Sequence, residues 1–132
     1  MRTRHLIALS LLAGLPLLPG CIVAAAAVGG AVAAPALMDD NTYISHLNYN
    51  SNLVWAQTKA TLTKKSLDPI DVDESRRRAI AQIDGATVTC SVETYDLNVS
   101  VLKVQAKKFG FPDNEIGKIV LDRITADLSK ER

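Results

Sequence analysis

The distribution of charged residues divides this 132-residue chain into two parts that differ in what they can fold into. No Asp, Glu, Lys or Arg lies between Arg4 and Asp39, and the segment up to Met38 is mostly apolar. All charged side chains except Arg2 and Arg4 lie after Met38, where apolar residues are the minority. Because only the first part is apolar enough to cross a bilayer, a protein with several membrane spans is excluded. The second part has the length for one small domain with one hydrophobic core.

The N-terminus has the layout of a secretory signal peptide. Two arginines precede the apolar run at residues 6–18, and Gly20 precedes Cys21. The sequence LPGC at residues 18–21 resembles the lipobox of bacterial lipoproteins, in which the cysteine receives a diacylglyceryl group. The resemblance implies cleavage after Gly20, which leaves a mature chain that begins with acylated Cys21. An ordinary signal peptide with a coincidental cysteine, or an uncleaved membrane anchor, is the alternative.

Acyl chains on Cys21 would hold the protein at a membrane. Each buried methylene contributes about 0.8 kcal/mol, so two or three chains, palmitate among them, anchor a protein firmly. The residue after the cysteine is Ile22. Bacterial lipoproteins that lack Asp at this position are usually sorted to the outer membrane. The resemblance therefore implies a lipid-anchored protein of the bacterial cell envelope that faces the periplasm.

Residues 21–38 form an uncharged tether rich in alanine and glycine. Ala26, Gly30 and Ala34 recur every four residues, and on a helix they would form a face where two helices can approach closely. One hypothesis is that this segment inserts into the bilayer or self-associates through that face. The other hypothesis is a spacer that packs on the domain or lies at the membrane interface. The weak hydrophobicity of alanine favours the spacer.

The remaining residues, 39–132, have patterns that predict one α+β domain. Alternating side chains predict strands, the pair Asp84-Gly85 predicts a hairpin turn, and Asn50 is typical of a helix N-cap. The order β-α-β-β-β-α favours a two-layer sandwich in which a four-stranded, mainly antiparallel sheet carries both helices on one face. The expected strands are residues 43–49, 77–83, 86–93 and 99–107, the expected helices are residues 51–65 and 112–132, and Ile70 and Val72 are expected in a short extended piece.

A family resemblance rests on several of these features together. A Gly/Ala-rich run follows the cysteine, Val54-Trp55 lie near the start of the first helix, and a Phe109-Gly110-Phe111 turn leads into an isoleucine-rich final helix. With the tyrosine-containing first strand and the Asp84-Gly85 turn, these features resemble a family of small proteobacterial lipoproteins catalogued as a domain of unknown function. The resemblance implies the lipoprotein character and the fold, and it implies no activity or catalytic residue.

Few side chains of the domain are suited to catalysis. Cys90 lies in phase with two valines and is expected to be a small buried hydrophobic residue. His46 is expected on the surface of the sheet. No paired-cysteine metal motif, glycine-rich phosphate loop or nucleophile elbow is present. We therefore expect a protein that is not an enzyme and that uses no metal or cofactor. An enzyme that uses Cys90 or His46 is the remaining alternative.

Residues 71–78 read DVDESRRR, an acidic run followed by a basic one. The acidic run lacks the glycine and glutamate of a calcium loop, because Arg76 and Gln82 occupy those positions. Arg76, Arg77 and Arg78 are expected at a solvated hairpin edge that offsets the acidic charges. Contact with anionic lipid headgroups or lipopolysaccharide is their functional alternative. Cleavage would remove Arg2 and Arg4 and change the formal net charge from +1 to −1, which argues against nucleic acid as a partner.

These observations predict a membrane-anchored envelope protein of non-enzymatic, binding or structural function, with another envelope protein as its partner. The alternative is a carrier that holds a small ligand or lipid in a groove between helices and sheet. The two hypotheses differ in what they require of the helix-sheet interface, since only the carrier needs an open groove there.

Overall fold

A computed structural model describes residues 41–131 and the backbone of residues 36 and 37. Within these residues the chain forms seven strands and two helices. In chain order these elements are β1 (Ala36–Leu37), β2 (Thr42–Leu47), α1 (Ser51–Lys65), β3 (Asp71–Asp73), β4 (Arg78–Ile83), β5 (Ala86–Asp96), β6 (Val99–Lys108), β7 (Phe111–Pro112) and α2 (Asn114–Lys130).

Both helices begin at a side-chain cap. The Asn50 side chain accepts a hydrogen bond from the backbone N–H of Asn52 at 2.8 Å, and Asp113 accepts one from the N–H of Ile116 at 3.1 Å. Such bonds satisfy backbone donors that have no partner inside the helix. Two lysines in the last turn of α1 and Glu115 in the first turn of α2 have the signs that the helix dipole favours. The capping residues therefore account for where each helix starts.

The strands form one antiparallel sheet in the order β1-β2-β6-β5-β4-β3, and β7 pairs with the far end of β6. Strands β3 to β6 follow one another as a meander, and β2 lies beside the last of them. Two-residue turns join β4 to β5 at Asp84-Gly85 and β6 to β7 at Phe109-Gly110. Helix α1 connects β2, near one edge, with β3 at the other edge.

One hydrophobic cluster joins the sheet to both helices. Its strand members alternate along β4, β5 and β6, as expected for one face of a pleated sheet. Its helix members lie on both α1 and α2, and both helices contact β5 and β6. The largest side chains in the cluster with no exposed surface are Leu47, Leu62, Leu102, Leu121, Ile124 and Leu128.

The structure confirms an α+β fold with an antiparallel sheet and two helices, but the prediction of four strands is wrong. All four predicted strands are present, and β1, β3 and β7 are additional. β1 and β7 have two residues each, so they are too short to produce an alternating pattern, and the sequence predicts β3 only as an extended piece. β1 belongs to the predicted tether at residues 21–38, and its two residues pair with Tyr43 and Ile44 of β2.

Candidate binding surface

Alternation of side chains gives the sheet two different faces. On β5, Val88 and Cys90 are buried in the cluster that joins sheet and helices, whereas Thr89 and Ser91 point the other way and are partly exposed. Among the described residues this second face lies open to solvent, and we call it the outer face. Its central side chains are Thr42, Arg78, Thr89, Ser91, Lys103 and Gln105.

A shallow depression of about 280 Å³ lies at the centre of the outer face and is lined by those six side chains. Strand register brings them together. Thr89 lies opposite Gln105, which lies opposite Thr42, and Ser91 lies between Arg78 and Lys103 in the neighbouring row. A second depression of about 360 Å³ shares three of the residues and continues to the β6-β7 turn.

The chemical groups around the depression are polar, and two of them are cationic. Three hydroxyl groups, one amide, one ammonium and one guanidinium line it, a set that donates and accepts hydrogen bonds. Lys103 is neutralised by Glu93, whose carboxylate lies 2.6 Å from its Nζ. Arg78 forms no ion pair with a described residue, although Asp71 and Asp73 border a third depression beside it. The depression therefore offers a cation and several neutral donors to a ligand.

The three consecutive arginines do not form one patch. Arg76 is exposed, and its Nε lies 3.8 Å from Asp73. Arg77 has a φ of 47° and turns its guanidinium towards α1. Arg78 starts β4 and faces the outer depression. Of the residues considered for contact with an anionic surface, only Arg78 thus belongs to the candidate binding surface.

Arg77 joins three elements of the fold. One guanidinium nitrogen donates hydrogen bonds to Ser51 Oγ at 2.7 Å and to Thr94 Oγ1 at 3.1 Å. The other donates to Asn52 Oδ1 at 2.7 Å. The planar fork of a guanidinium is suited to several acceptors held in fixed positions. Arg77 therefore connects the β3-β4 turn to the start of α1 and to β5, which is a structural role that spacing in the sequence does not reveal.

The acidic residues beside the arginines are also engaged in local bonds. Glu74 accepts hydrogen bonds from Lys59 Nζ and Trp55 Nε1, both at 2.6 Å, and these bonds hold the pKa of its carboxyl below the usual value of 4.5. The Ser75 hydroxyl and the Arg76 N–H lower the pKa of Asp73 in the same way. The described residues contain no group of three or more His, Cys, Asp or Glu side chains that could hold a metal ion.

Cys90 and His46 lie on opposite faces of the sheet. Cys90 has no exposed surface, and burial raises the pKa of its thiol to about 12, so it is a neutral thiol at physiological pH. The expectation of a small buried hydrophobic residue is confirmed. His46 is exposed on β2, and its ring forms a T-shaped contact with the ring of Tyr95, with 5.8 Å between the ring centroids. A nucleophile and a base are therefore not brought together by these two residues.

A further polar depression lies between the helices. It measures about 250 Å³ and is lined by the end of α1 and by Arg123 and Asp127 of α2. Burial raises the pKa of Asp127, but the charge of Arg123 and hydrogen bonds from Lys130 and Thr61 outweigh this and lower it. Asp127 of α2 thus bonds to Thr61 of α1 and to Arg123 and Lys130 of its own helix. We therefore assign this side chain to the connection between the helices and not to a ligand site.

Several predicted features lie outside the described residues. They include the signal peptide at residues 1–20, the lipidation site Cys21 and the small-residue face at Ala26, Gly30 and Ala34. None of the helices in the described part of the chain has the length and hydrophobicity needed to cross a membrane. No protein-family model and no curated protein matches the chain. Membership of the lipoprotein family stays a prediction from the sequence.

Sequence reasoning missed the outer face as a candidate surface. Thr42 and Gln105 are 63 residues apart in the chain, yet they are neighbours in the sheet and share a hydrogen bond at 3.3 Å. Serine, threonine and glutamine at alternate positions are also what any solvent-facing strand contains. The alternation predicts which side chains face solvent, but only the strand order reveals which of them meet.

Proposed function

We propose that the protein is a lipid-anchored, non-enzymatic binding module of the bacterial cell envelope, facing the periplasm from the outer membrane. Its binding surface is the outer face of the sheet, and its partner is another envelope component. The observation that carries this proposal is the depression lined by Thr42, Arg78, Thr89, Ser91, Lys103 and Gln105. It presents a cation without an ion-pair partner among the described residues, together with neutral hydrogen-bonding groups.

The architecture that goes with this proposal is a two-layer sandwich with both helices on the inner face of the sheet. The single cluster that contains buried residues of α1, α2 and the strands supports it. In such an arrangement the helices close one face and leave the other available for a partner.

The proposed anchor lies in the N-terminal part of the chain. The basic start, the apolar run and the LPGC sequence ending at Cys21 support export and acylation. Residues 21–38 then serve as the link between the membrane and the domain, and self-association through Ala26, Gly30 and Ala34 is a further use of this link.

A binding role agrees with the chemistry of the domain. The thiol of Cys90 is buried and neutral, and the ring of His46 contacts Tyr95 on the other side of the sheet. The alternative, a carrier with a groove between helices and sheet, is disfavoured because Leu62, Leu102 and Leu121 fill that interface with no exposed surface.

Site-specific crosslinking in intact cells tests the binding surface. A photoreactive amino acid replaces Thr89 in the centre of the outer face, and a matched chain carries it at Ala60, an exposed position of α1. We expect a discrete adduct from position 89 and none of the same mass from position 60. The adduct should disappear when Cys21→Ser is added, because the unanchored protein no longer lies beside its partner.

Two results would contradict the proposal. If position 60 gives the same adduct as position 89, the outer face is not the binding surface. If position 89 gives no adduct at all while the protein is present at the membrane, the outer face has no partner there. Substitution of Arg78 by Gln in the position-89 chain should weaken a genuine adduct several-fold, since it removes the cation that has no ion-pair partner among the described residues.

A further inference from the structure

Two phenylalanines lie exposed at the turn that joins β6 and β7. Phe109 is 88% exposed and Phe111 is 74% exposed. Neither belongs to the hydrophobic core cluster. Aromatic side chains of this size stabilise a fold when they are buried, so the stability of the domain does not account for these two residues.

The backbone at the turn makes Phe109 more unusual. Two tight hairpin turns in the described part of the chain share one conformation, with φ of 50° and 78° at Asp84-Gly85 and 52° and 82° at Phe109-Gly110. Two-residue turns with positive φ at both positions favour Asn or Asp before Gly. The first turn follows this preference, whereas the second holds a bulky residue in a conformation that is costly for it. Turn geometry therefore does not explain Phe109 either.

Two lysines accompany the aromatic pair. Lys107 and Lys108 lie opposite Pro112 and Phe111 across the hairpin. In the part of the chain that the structure describes, neither lysine forms an ion pair or a hydrogen bond through its ammonium group. One short segment thus presents two aromatic rings and two lysines that form no ion pair with a described residue. Aromatic rings settle at the headgroup level of a bilayer, and basic side chains are attracted to anionic lipids.

We propose that the β6-β7 hairpin, residues 107–111, inserts its two phenyl rings into the headgroup region of an anionic membrane. The inference rests on the proposed function, because the acyl anchor holds the domain within reach of the bilayer. The contact adds a second attachment point and fixes which end of the sheet faces the lipid.

The opposite end of the sheet supplies a contrast within the same molecule. Tyr95 and Leu97, near the β5-β6 turn, are 72% and 80% exposed, so apolar exposure alone does not distinguish the two ends. Of the two acidic residues beside them, Glu93 is paired with Lys103, and Asp96 forms no ion pair with a described residue. An anionic surface repels the Asp96 carboxylate and attracts the ammonium groups of Lys107 and Lys108, and charge therefore favours the lysine-bearing hairpin.

Fluorescence quenching by brominated lipids tests the orientation. The full acylated protein is reconstituted into vesicles of phosphatidylethanolamine and phosphatidylglycerol with brominated acyl chains. Phe109→Trp and Leu97→Trp each add one exposed indole at opposite ends of the sheet, and the buried native Trp55 gives the same background in both. We expect the added indole of Phe109→Trp to be quenched at least twofold more strongly than that of Leu97→Trp.

A charge variant tests the lipid specificity. Lys107→Gln with Lys108→Gln, added to Phe109→Trp, keeps the ring and removes both cations. Quenching of Phe109→Trp should be stronger in vesicles with phosphatidylglycerol than in vesicles without it. The two lysine substitutions should reduce this increase by at least half. The proposal would be overturned by equal quenching at both ends of the sheet or by stronger quenching in Leu97→Trp. Quenching of Phe109→Trp that does not depend on phosphatidylglycerol would overturn it as well.

Mass spectrometry of the same samples separates this inference from the anchor. An acylated protein whose added indole in Phe109→Trp is not quenched would refute the hairpin contact and leave the anchor standing. An unacylated chain whose added indole is quenched would refute the anchor and leave the hairpin contact standing.

Discussion

Glu74 illustrates how one side chain acts beyond its own turn. Its two carboxylate oxygens accept hydrogen bonds from Trp55 and Lys59 of α1, while its backbone lies between β3 and β4. The ammonium of Lys59 also lies 5.1 Å from the centre of the Trp55 ring, a cation-π contact. In the sequence, Glu74 belongs to an acidic run that is followed by arginines. In the structure, its hydrogen bonds connect the edge of the sheet to α1.

The lowered pKa of Glu74 predicts a pH dependence of stability. Because the folded pKa lies below the unfolded value near 4.5, the bond contributes its full stabilisation above that pH and loses it as pH falls through the folded pKa. Glu74→Gln should therefore lower the free energy of unfolding at pH 7. The difference in this free energy between the variant and the wild type should become smaller as the pH falls towards 3. Urea unfolding followed by Trp55 fluorescence at both pH values measures this.

Asp68→Asn is the control for the Glu74 experiment, since the side chain of Asp68 is exposed and its carboxylate bonds to no described residue. It should leave both the stability at pH 7 and its pH dependence close to those of the wild type. A Glu74→Gln protein whose deficit is the same at pH 3 as at pH 7 would contradict the assigned bonds.

At the scale of elements, the consecutive residues Arg76 and Arg77 differ in how much they contribute to the stability of the fold. Arg77→Ala removes three hydrogen bonds that connect the β3-β4 turn with α1 and β5, and we expect a loss of about 1–3 kcal/mol in the free energy of unfolding. Arg76→Ala removes only an exposed ion pair at 3.8 Å, and we expect a change within about 0.5 kcal/mol. Urea titrations at pH 7 compare the two, and equal losses would refute the structural role of Arg77.

The elements are largely predictable where local chemistry sets them. The helix expected at residues 51–65 agrees with α1 because Asn50 caps it and its buried residues recur at helical spacing. Asp84-Gly85 marks the β4-β5 turn because its conformation favours that pair. The turn at Phe109-Gly110 has the same conformation without the favoured residue, so the sequence does not predict the hairpin that it closes with β7. Prediction fails where backbone pairing, and not the local residue, determines the structure.

At the scale of the whole molecule, the sequence predicts the fold class but not the candidate binding surface. The fold class follows from the order of elements, which is local information. The outer depression depends on the order of strands in the sheet, which joins residues of β2, β4, β5 and β6 that are distant in the chain. The sequence also does not predict the different roles of the three arginines. Arg77 and Arg78 are adjacent in the chain, yet Arg77 bonds to α1 and Arg78 lies on the outer face.

The whole-molecule account combines two surfaces with one anchor. In our proposals, the polar groups of the outer face bind a partner, the aromatic and basic groups of the β6-β7 hairpin contact the lipid, and acyl chains on Cys21 attach the chain to the membrane. The proposed partner of the outer face is expected only beside the anchored protein, and the anchor also brings the hairpin within reach of the lipid, so the anchor is the central proposal.

Incorporation of labelled palmitate in bacterial cells tests that claim most directly. We expect the wild type to be labelled, to fractionate with the outer membrane and to have the mass of an acylated chain that starts at Cys21, whereas Cys21→Ser should be unlabelled and should keep the segment from Met1 to Gly20. Cys90→Ala should be labelled like the wild type, because its buried thiol takes no part in acylation. An unlabelled wild type, or a Cys21→Ser protein labelled to the same extent, would contradict the account.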